Sequence, residues 1–375
     1  MRTKFGKVLV LSASAGAGHV RAAQAIEAAI RELGAADEAL HVDTLQYTTK
    51  PFRTLYSKAY IEMVNSAPSM LGWLYDRLDE PWKNEKLRLA LDKLNARRFV
   101  SLLESYQPEI CICTHFLPAE IISWLKSEER LASRQAIVVT DLDVHAMWLC
   151  RHREHYFVAL DETREHLVKL GVPRETITVS GIPIDPVFAV KKDRQEMRRK
   201  HGLDAEKTVI LVSAGGFGVG SMENLVRSLL EVRHPAQVVA VCGRNEETRA
   251  KVDALRTEAR GADLKALGYT TEMDELMAAS DILVGKPGGL TLSEALAKEL
   301  AIVIVNPIPG QEERNSDHLL EEGAAIRANN LPVIAWKVDR LLDDPAKLAS
   351  LRSNAKRLAR PDAAKDIVRR LLEVE

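Results

Sequence analysis

The chain twice runs a short apolar strand straight into a glycine-rich loop and then into a helix, and few folds accommodate that unit. In the first copy the strand covers Lys7 to Leu11 and the loop is Ser12-Ala-Ser-Ala-Gly-Ala-Gly-His19. Apolar residues then recur at Val20, Ala23, Ile26, Ala29, Ile30 and Leu33, ahead of Gly34. That spacing makes one face of an α-helix, and a glycine just past the last apolar position stops it. In the second copy Thr208 to Ser213 is the strand, Ala214-Gly-Gly-Phe-Gly-Val-Gly220 the loop, and Ser221 to Val232 the helix.

Further short apolar runs follow each copy: Glu109–Thr114, Ala136–Thr140 and Tyr156–Leu160 after the first, and Gln237–Cys242, Leu264–Leu267, Ile282–Val284 and Ile302–Val305 after the second. Helical stretches separate them, which predicts parallel sheets covered by helices on both faces. At ~150 residues per domain the length fits two domains. The boundary is expected in Gly181-Ile-Pro-Ile-Asp-Pro-Val-Phe188, followed by the charged run Lys191–Lys200 as a linker and surface helix. The expected architecture is α/β: two Rossmann-like domains, 1–188 and 189–375, facing a central cleft, with the last helix able to pack back on the first domain.

A glycine loop opening a helix presents free N–H groups and a partial positive charge, which suits phosphate. The dinucleotide fingerprint fails, because Arg21 stands where its third glycine belongs, and no Walker lysine follows either loop. A net charge of −1 argues against a nucleic-acid partner. His19, at the mouth of the first helix, has the chemistry of a general base near neutral pH, and a helix N-terminus is expected to keep it neutral. The alternative is a histidine that only caps the helix or faces solvent.

Gly285-Lys-Pro-Gly-Gly-Leu-Thr-Leu-Ser-Glu-Ala295 follows a strand. Lys286, Gly288, Gly289, Leu290 and Thr291 form a tight turn and a helix start that can hold a diphosphate, and Glu294 lies one turn further on, within reach of a ribose diol. After the next strand, Gln311 and Glu312 are placed to bind sugar hydroxyls.

Together with Thr140-Asp-Leu-Asp-Val-His-Ala-Met-Trp148 and Cys242-Gly-Arg-Asn245, these segments resemble the monogalactosyldiacylglycerol synthase and processive diacylglycerol glucosyltransferase family over nearly the whole chain. The resemblance implies a GT-B inverting glycosyltransferase that moves a hexose from a UDP-sugar to diacylglycerol or a glycosyl-diacylglycerol. It further implies that His19 is the base and that Gly216 and Phe217 approach the nucleotide. Arg244 would pair with phosphate or line the base pocket, and Gly268 and Tyr269 would flank uracil. The acceptor side is expected to include Gly18, Asp141, His145 and Trp148. No cofactor or metal is expected. Asp141-Leu-Asp143 is the pattern by which another transferase class holds Mn²⁺, but here Asp141 and His145 are expected to lie near His19.

Seven of the nineteen aromatic residues fall between Tyr47 and Trp82, and Met63, Met70 and Leu71 add apolar surface there. From Tyr47 to Val100 there are ten Lys/Arg against six Asp/Glu, a net of +4. That combination suits an anionic bilayer surface, though a pair of ordinary packed helices would carry it too. The expected location is cytoplasmic, on the inner face of the cell membrane. The cysteines (Cys111, Cys113, Cys150 and Cys242) lack zinc-ligand spacing and read as buried structural thiols. Other functions compatible with the layout are a transferase with another lipid acceptor, a UDP-sugar epimerase and a nucleotide-sugar-sensing regulatory protein.

Overall fold

A computed structural model describes residues 3–83, 85–213, 222–258 and 261–374, with side chains of 57–61, 63–65, 68, 71 and 85–88 outside the description. The chain divides into two compact units. One comprises Met1–Pro186, Pro309–Gln311 and Arg360–Glu375, and the other Val187–Ile308 and Glu312–Ala359.

The first unit is built on β1 (Phe5–Ser12), β2 (Ala36–Asp43), β3 (Ile110–Cys113), β4 (Arg134–Val138), β5 (His155–Val158) and β6 (Ile177–Val179). They form a parallel sheet in the order β2-β1-β3-β4-β5-β6. Successive strands leave β1 in opposite directions, so a crevice opens beyond the carboxyl ends of β1 and β3, the switch point where such sheets bind ligands. The helix Ala17–Leu33 buries Ala22, Ala23, Ala25, Ile26, Ala29 and Ile30. Gly34 ends it in the left-handed region, at φ 60°, and returns its N–H to Arg31 and Ile30. The terminal helix Ala363–Glu373 packs Ile367, Val368 and Leu371 into the same core.

The second unit contains β7 (Thr208–Ser213), β8 (Ala236–Val241), β9 (Ala262–Leu267), β10 (Ile282–Gly285), β11 (Ala301–Val305) and β12 (Ala325–Ala328). Its order, β12-β11-β10-β7-β8-β9, is that of the dinucleotide-binding sheet, with the switch point between β7 and β10. Gly285 pairs with Ser213 there. A Cβ on Gly285 would lie 2.9 Å from the Ser213 carbonyl oxygen, so glycine lets the two strands meet beside the site.

The charged run after Lys191 contains the expected surface helix. Arg194–Lys200 is a helix of the second unit, capped by Asp193. Its buried Arg198 donates to Asp281 at 2.6 Å and to the Ala279 carbonyl at 3.0 Å. The four cysteines are free and buried, and burial pushes the Cys111 thiol up to about 12, so it stays protonated and inert. Among the described residues no helix is long and apolar enough to cross a membrane.

Candidate functional site

Three neighbouring strands deliver one cluster at the carboxyl edge of the first sheet. The loop after β1 carries His19, in the first turn of its helix and next to Gly18. β3 leads into Thr114 and His115, and β4 leads to Thr140. His19 Nδ1 lies 2.9 Å from the Thr114 carbonyl oxygen and 2.9 Å from Thr140 Oγ1. A carbonyl only accepts, so Nδ1 carries the proton and Nε2 keeps its lone pair. Thr114 Oγ1 also reaches the carbonyl of His19, at 2.8 Å, fixing the backbone of the same residue.

Burial holds the His19 imidazole down to about 4, with the hydrogen bond to Thr114 pulling upward. Its ring meets His115 edge to face at 4.5 Å, and Trp148 lies 6.3 Å away. His115 caps the helix Phe116–Ser127 by accepting from the Leu117 N–H, and burial beside His19 keeps its imidazole well below the ordinary range. The Tyr156 hydroxyl donates to the Trp148 carbonyl and accepts from the Cys150 N–H, both at 2.9 Å, which fixes the loop that presents the indole.

The other expected acceptor-side residues lie in the loop that follows Thr140. His145 is buried with both ring nitrogens committed. Nδ1 accepts from Met147 N–H at 3.1 Å, and Nε2–H donates to the Tyr75 carbonyl at 2.9 Å. It fastens its loop to the helix Pro68–Leu78. Asp141 is partly buried in the same loop, but the groups on His19 Nδ1 are those of Thr114 and Thr140. Asp143 accepts from its neighbour Val144. Among the described residues the grouping with metal-ligand chemistry lies elsewhere, at His201, Glu272 and Glu275. Lys200 and Lys192 already pair with its acids.

Three imidazoles that burial holds below the ordinary histidine range, those of His19, His115 and His155, make this unit's stability pH-dependent. Burial also lowers His155 to about 4, helped by the charges of Arg370 and Arg134. An unfolded histidine binds its proton near ~6.5. Stability is therefore full above that value and falls as the pH drops toward 4, because the unfolded chain takes up protons first. One such imidazole is worth about 3 kcal/mol at most. Scanning calorimetry should show the melting temperature of the native protein falling steadily between pH 7 and pH 4.5; a flat profile would mean these rings are not held neutral.

In the second unit the expected donor residues gather at the carboxyl ends of β8, β9 and β10. Gly216 and Phe217 lie outside the described residues. The Arg244 guanidinium stacks 4.7 Å over the exposed Tyr269 ring, after β8 and β9 respectively. Gly268, beside Tyr269, has Glu246 Oε1 3.3 Å from where a Cβ would sit, so the turn is close-packed. Gly288 caps the helix Gly289–Ala297, whose first turn is Gly289, Leu290 and Thr291. Burial lowers the Lys286 ammonium below the usual lysine range while Glu312 pulls it back.

Glu294 is 1% exposed, so its carboxylate sits within the unit. Glu312 is buried as well, and its Oε2 accepts from Ile308 N–H at 2.7 Å, closing the loop that follows β11. Gln311 opens the helix Gln311–Glu321. Asn315, which the sequence reading passed over, is fully buried and donates from Nδ2 to the Pro287 carbonyl at 3.0 Å, bracing the glycine turn. His115, Thr114 and Asn315 carry no motif of their own; each acquires its place from which strands are neighbours.

Residues 19–184 match the family model described as monogalactosyldiacylglycerol (MGDG) synthase, and residues 193–358 match glycosyl transferases group 1. A processive diacylglycerol beta-glucosyltransferase of Bacillus cereus is 32% identical over 372 residues, covering 98% of this chain and 94% of that protein. The protein of that name from Bacillus mycoides is 33% identical over 377 residues, with 98% and 94% covered. Among solved structures, Acinetobacter baumannii MurG superposes with a TM-score of 0.62 at 14% identity, covering 98% of this chain and 99% of its own. A co-structure of S. aureus MnaA with UDP has a TM-score of 0.63 at 12% identity, covering 98% and 96%. Both share the fold.

Proposed function

Because the chain belongs to the family of monogalactosyldiacylglycerol synthases and processive diacylglycerol glucosyltransferases, we propose that it moves a hexose from a UDP-sugar to diacylglycerol, or to a glycosyl-diacylglycerol, with inversion. Membership makes it a hexosyltransferase of glycolipid synthesis with the paired Rossmann-like units of the GT-B fold. The transferase names extend over nearly the full chain, which favours transfer over epimerisation or sensing.

The observation that carries the mechanism is the fixed tautomer of His19, with Nδ1–H bound to the protein and Nε2 left as the basic atom. In the proposed step Nε2 takes the proton of the acceptor hydroxyl while that oxygen attacks the anomeric carbon. The bond to the UDP oxygen breaks on the opposite face, through an oxocarbenium-like state. An anionic donor favours the protonated imidazole and so strengthens the base as the proton moves. Lys286 and the N–H groups at the start of the helix Gly289–Ala297 take up the charge on the departing diphosphate, the larger electrostatic contribution. This scheme uses no metal.

Peripheral membrane contact is part of the proposal. Leu55, Met70, Trp73, Leu91 and Leu94 are exposed on the helices that follow Lys50, in the aromatic and basic segment. Of the sequence features cited there, the side chains of Tyr60, Met63 and Leu71 lie outside the described residues.

The test is incubation of the purified protein with UDP-glucose or UDP-galactose and liposomes with and without diacylglycerol, reading UDP release, lipid products by mass spectrometry and co-sedimentation. Release that depends on diacylglycerol, with a hexosyl-diacylglycerol product, is expected. Turnover only on a polyprenyl-linked acceptor would overturn the acceptor assignment, and inversion is read from the anomeric configuration of the product.

A further inference from the structure

We propose that Thr140 is a positioning residue for the transfer: its hydroxyl, paired with the Thr114 carbonyl on His19 Nδ1, holds the imidazole in the one tautomer and orientation that leaves Nε2 free to accept a proton. The inference rests on the reading of His19 as the base and adds what sets that base.

The geometry has two parts. Thr114 O and Thr140 Oγ1 both stand 2.9 Å from Nδ1, so one N–H is shared between two acceptors that come from different strands. A single acceptor fixes which nitrogen carries the proton but leaves the ring free to swing about the bond to it. A second acceptor from a neighbouring strand fixes the swing as well. Thr140 is itself 3% exposed, two residues past β4, so its hydroxyl has little freedom to follow a moving ring. β4 neighbours β3, which supplies Thr114, and β3 neighbours β1, which leads to His19. The sheet order thus builds the arrangement, and no local motif does.

The chemistry of the two acceptors matters. Both are neutral, a carbonyl and a hydroxyl, where many catalytic histidines have a carboxylate on the same nitrogen. A carboxylate would favour the charged ring and sit badly with the burial that keeps His19 neutral. Two dipoles leave the resting ring uncharged and basic at Nε2, and still share the Nδ1 proton once Nε2 is protonated. Asp141, next in the chain, is therefore not needed on the ring.

Thr140→Val keeps the shape and removes the hydroxyl, and Thr140→Ser restores it. With UDP-glucose and diacylglycerol liposomes, Thr140→Val should lower kcat roughly 10- to 100-fold, the cost of a misplaced reacting group. KM for the donor should stay unchanged and Thr140→Ser should recover most of the loss. A structural role alone would lower apparent kcat only by the fraction of folded enzyme, which thermal unfolding of each variant reports, whereas the expected loss remains after kcat is normalised to folded protein. On the protein alone, ¹⁵N NMR of labelled histidine should show His19 with its proton on Nδ1. A proton on Nε2 in the native protein, or full kcat in Thr140→Val, would overturn the inference. Turnover persisting in His19→Ala would overturn the base assignment instead.

Discussion

Alanine at position 19 should cut turnover by ~10²- to 10⁴-fold, the range a positioned general base contributes, while UDP affinity stays nearly unchanged. Two facts separate these quantities. The only proton acceptor that the Thr114 and Thr140 contacts leave on the ring is Nε2, so removing the ring removes the base itself. Lys286, Gly288 and Glu294, proposed to bind the donor's diphosphate and ribose, belong to the unit Val187–Ile308 with Glu312–Ala359, whereas His19 belongs to the other. Steady-state kinetics on diacylglycerol liposomes measures the first effect and isothermal titration with UDP the second. A collapse of UDP affinity in His19→Ala would move the histidine from acceptor activation to donor binding. Because burial holds the imidazole to about 4, it is already in its basic form at pH 5. An acid limb of kcat/KM near the ordinary histidine value must then come from a different group, since that profile reports the free enzyme.

The central strands were readable from sequence because burial on both faces makes them continuous apolar runs. β7 falls where Thr208–Ser213 predicts, and β3, β10 and β11 are buried throughout. The strands that the pattern misses are β2, β6 and β12, and all three lie at the edges of their sheets. β2 reads Ala-Asp-Glu-Ala-Leu-His-Val-Asp, with its glutamate and leucine exposed and only Val42 fully buried. An edge strand needs apolar residues on one face at most, so its composition resembles a loop. The same limit applies to the site. His19, the Lys286 turn and Trp148 announce themselves through glycine loops and strand ends. His115, Thr140 as a hydrogen-bond partner, and Asn315 do not, because their roles depend on β3 lying between β1 and β4 and on the loop after β11 lying beside the turn after β10. His145 has contacts that its motif does not reveal. A histidine in a motif-like loop invites a functional role, and the structure spends both of its nitrogens on backbone groups.

The second large effect is expected at Lys286. This lysine follows Gly285, the last residue of β10, at the switch point of the second sheet, and the turn it opens is held on both sides. Asn315 ties down the Pro287 carbonyl, and Glu312 is occupied with the Ile308 N–H. Partial burial already pulls the ammonium below the usual lysine range, and among the described residues it forms no ion pair. A partly desolvated cation, offset only in part by the nearby Glu312 carboxylate, gains when an anion of two charges arrives, and the N–H groups of Gly289, Leu290 and Thr291 stand in the first turn of the helix beside it. Lys286→Met should therefore lower kcat/KM for the donor by ~10²- to 10³-fold, the cost of losing one preorganised charge-stabilising group. Lys286→Arg should recover only part of the loss, because a forked guanidinium does not fit a site shaped for a compact ammonium. Weaker UDP binding in Lys286→Met, measured by titration, would accompany the kinetic loss. Unchanged affinity together with unchanged turnover would show that the diphosphate binds somewhere other than the turn after β10.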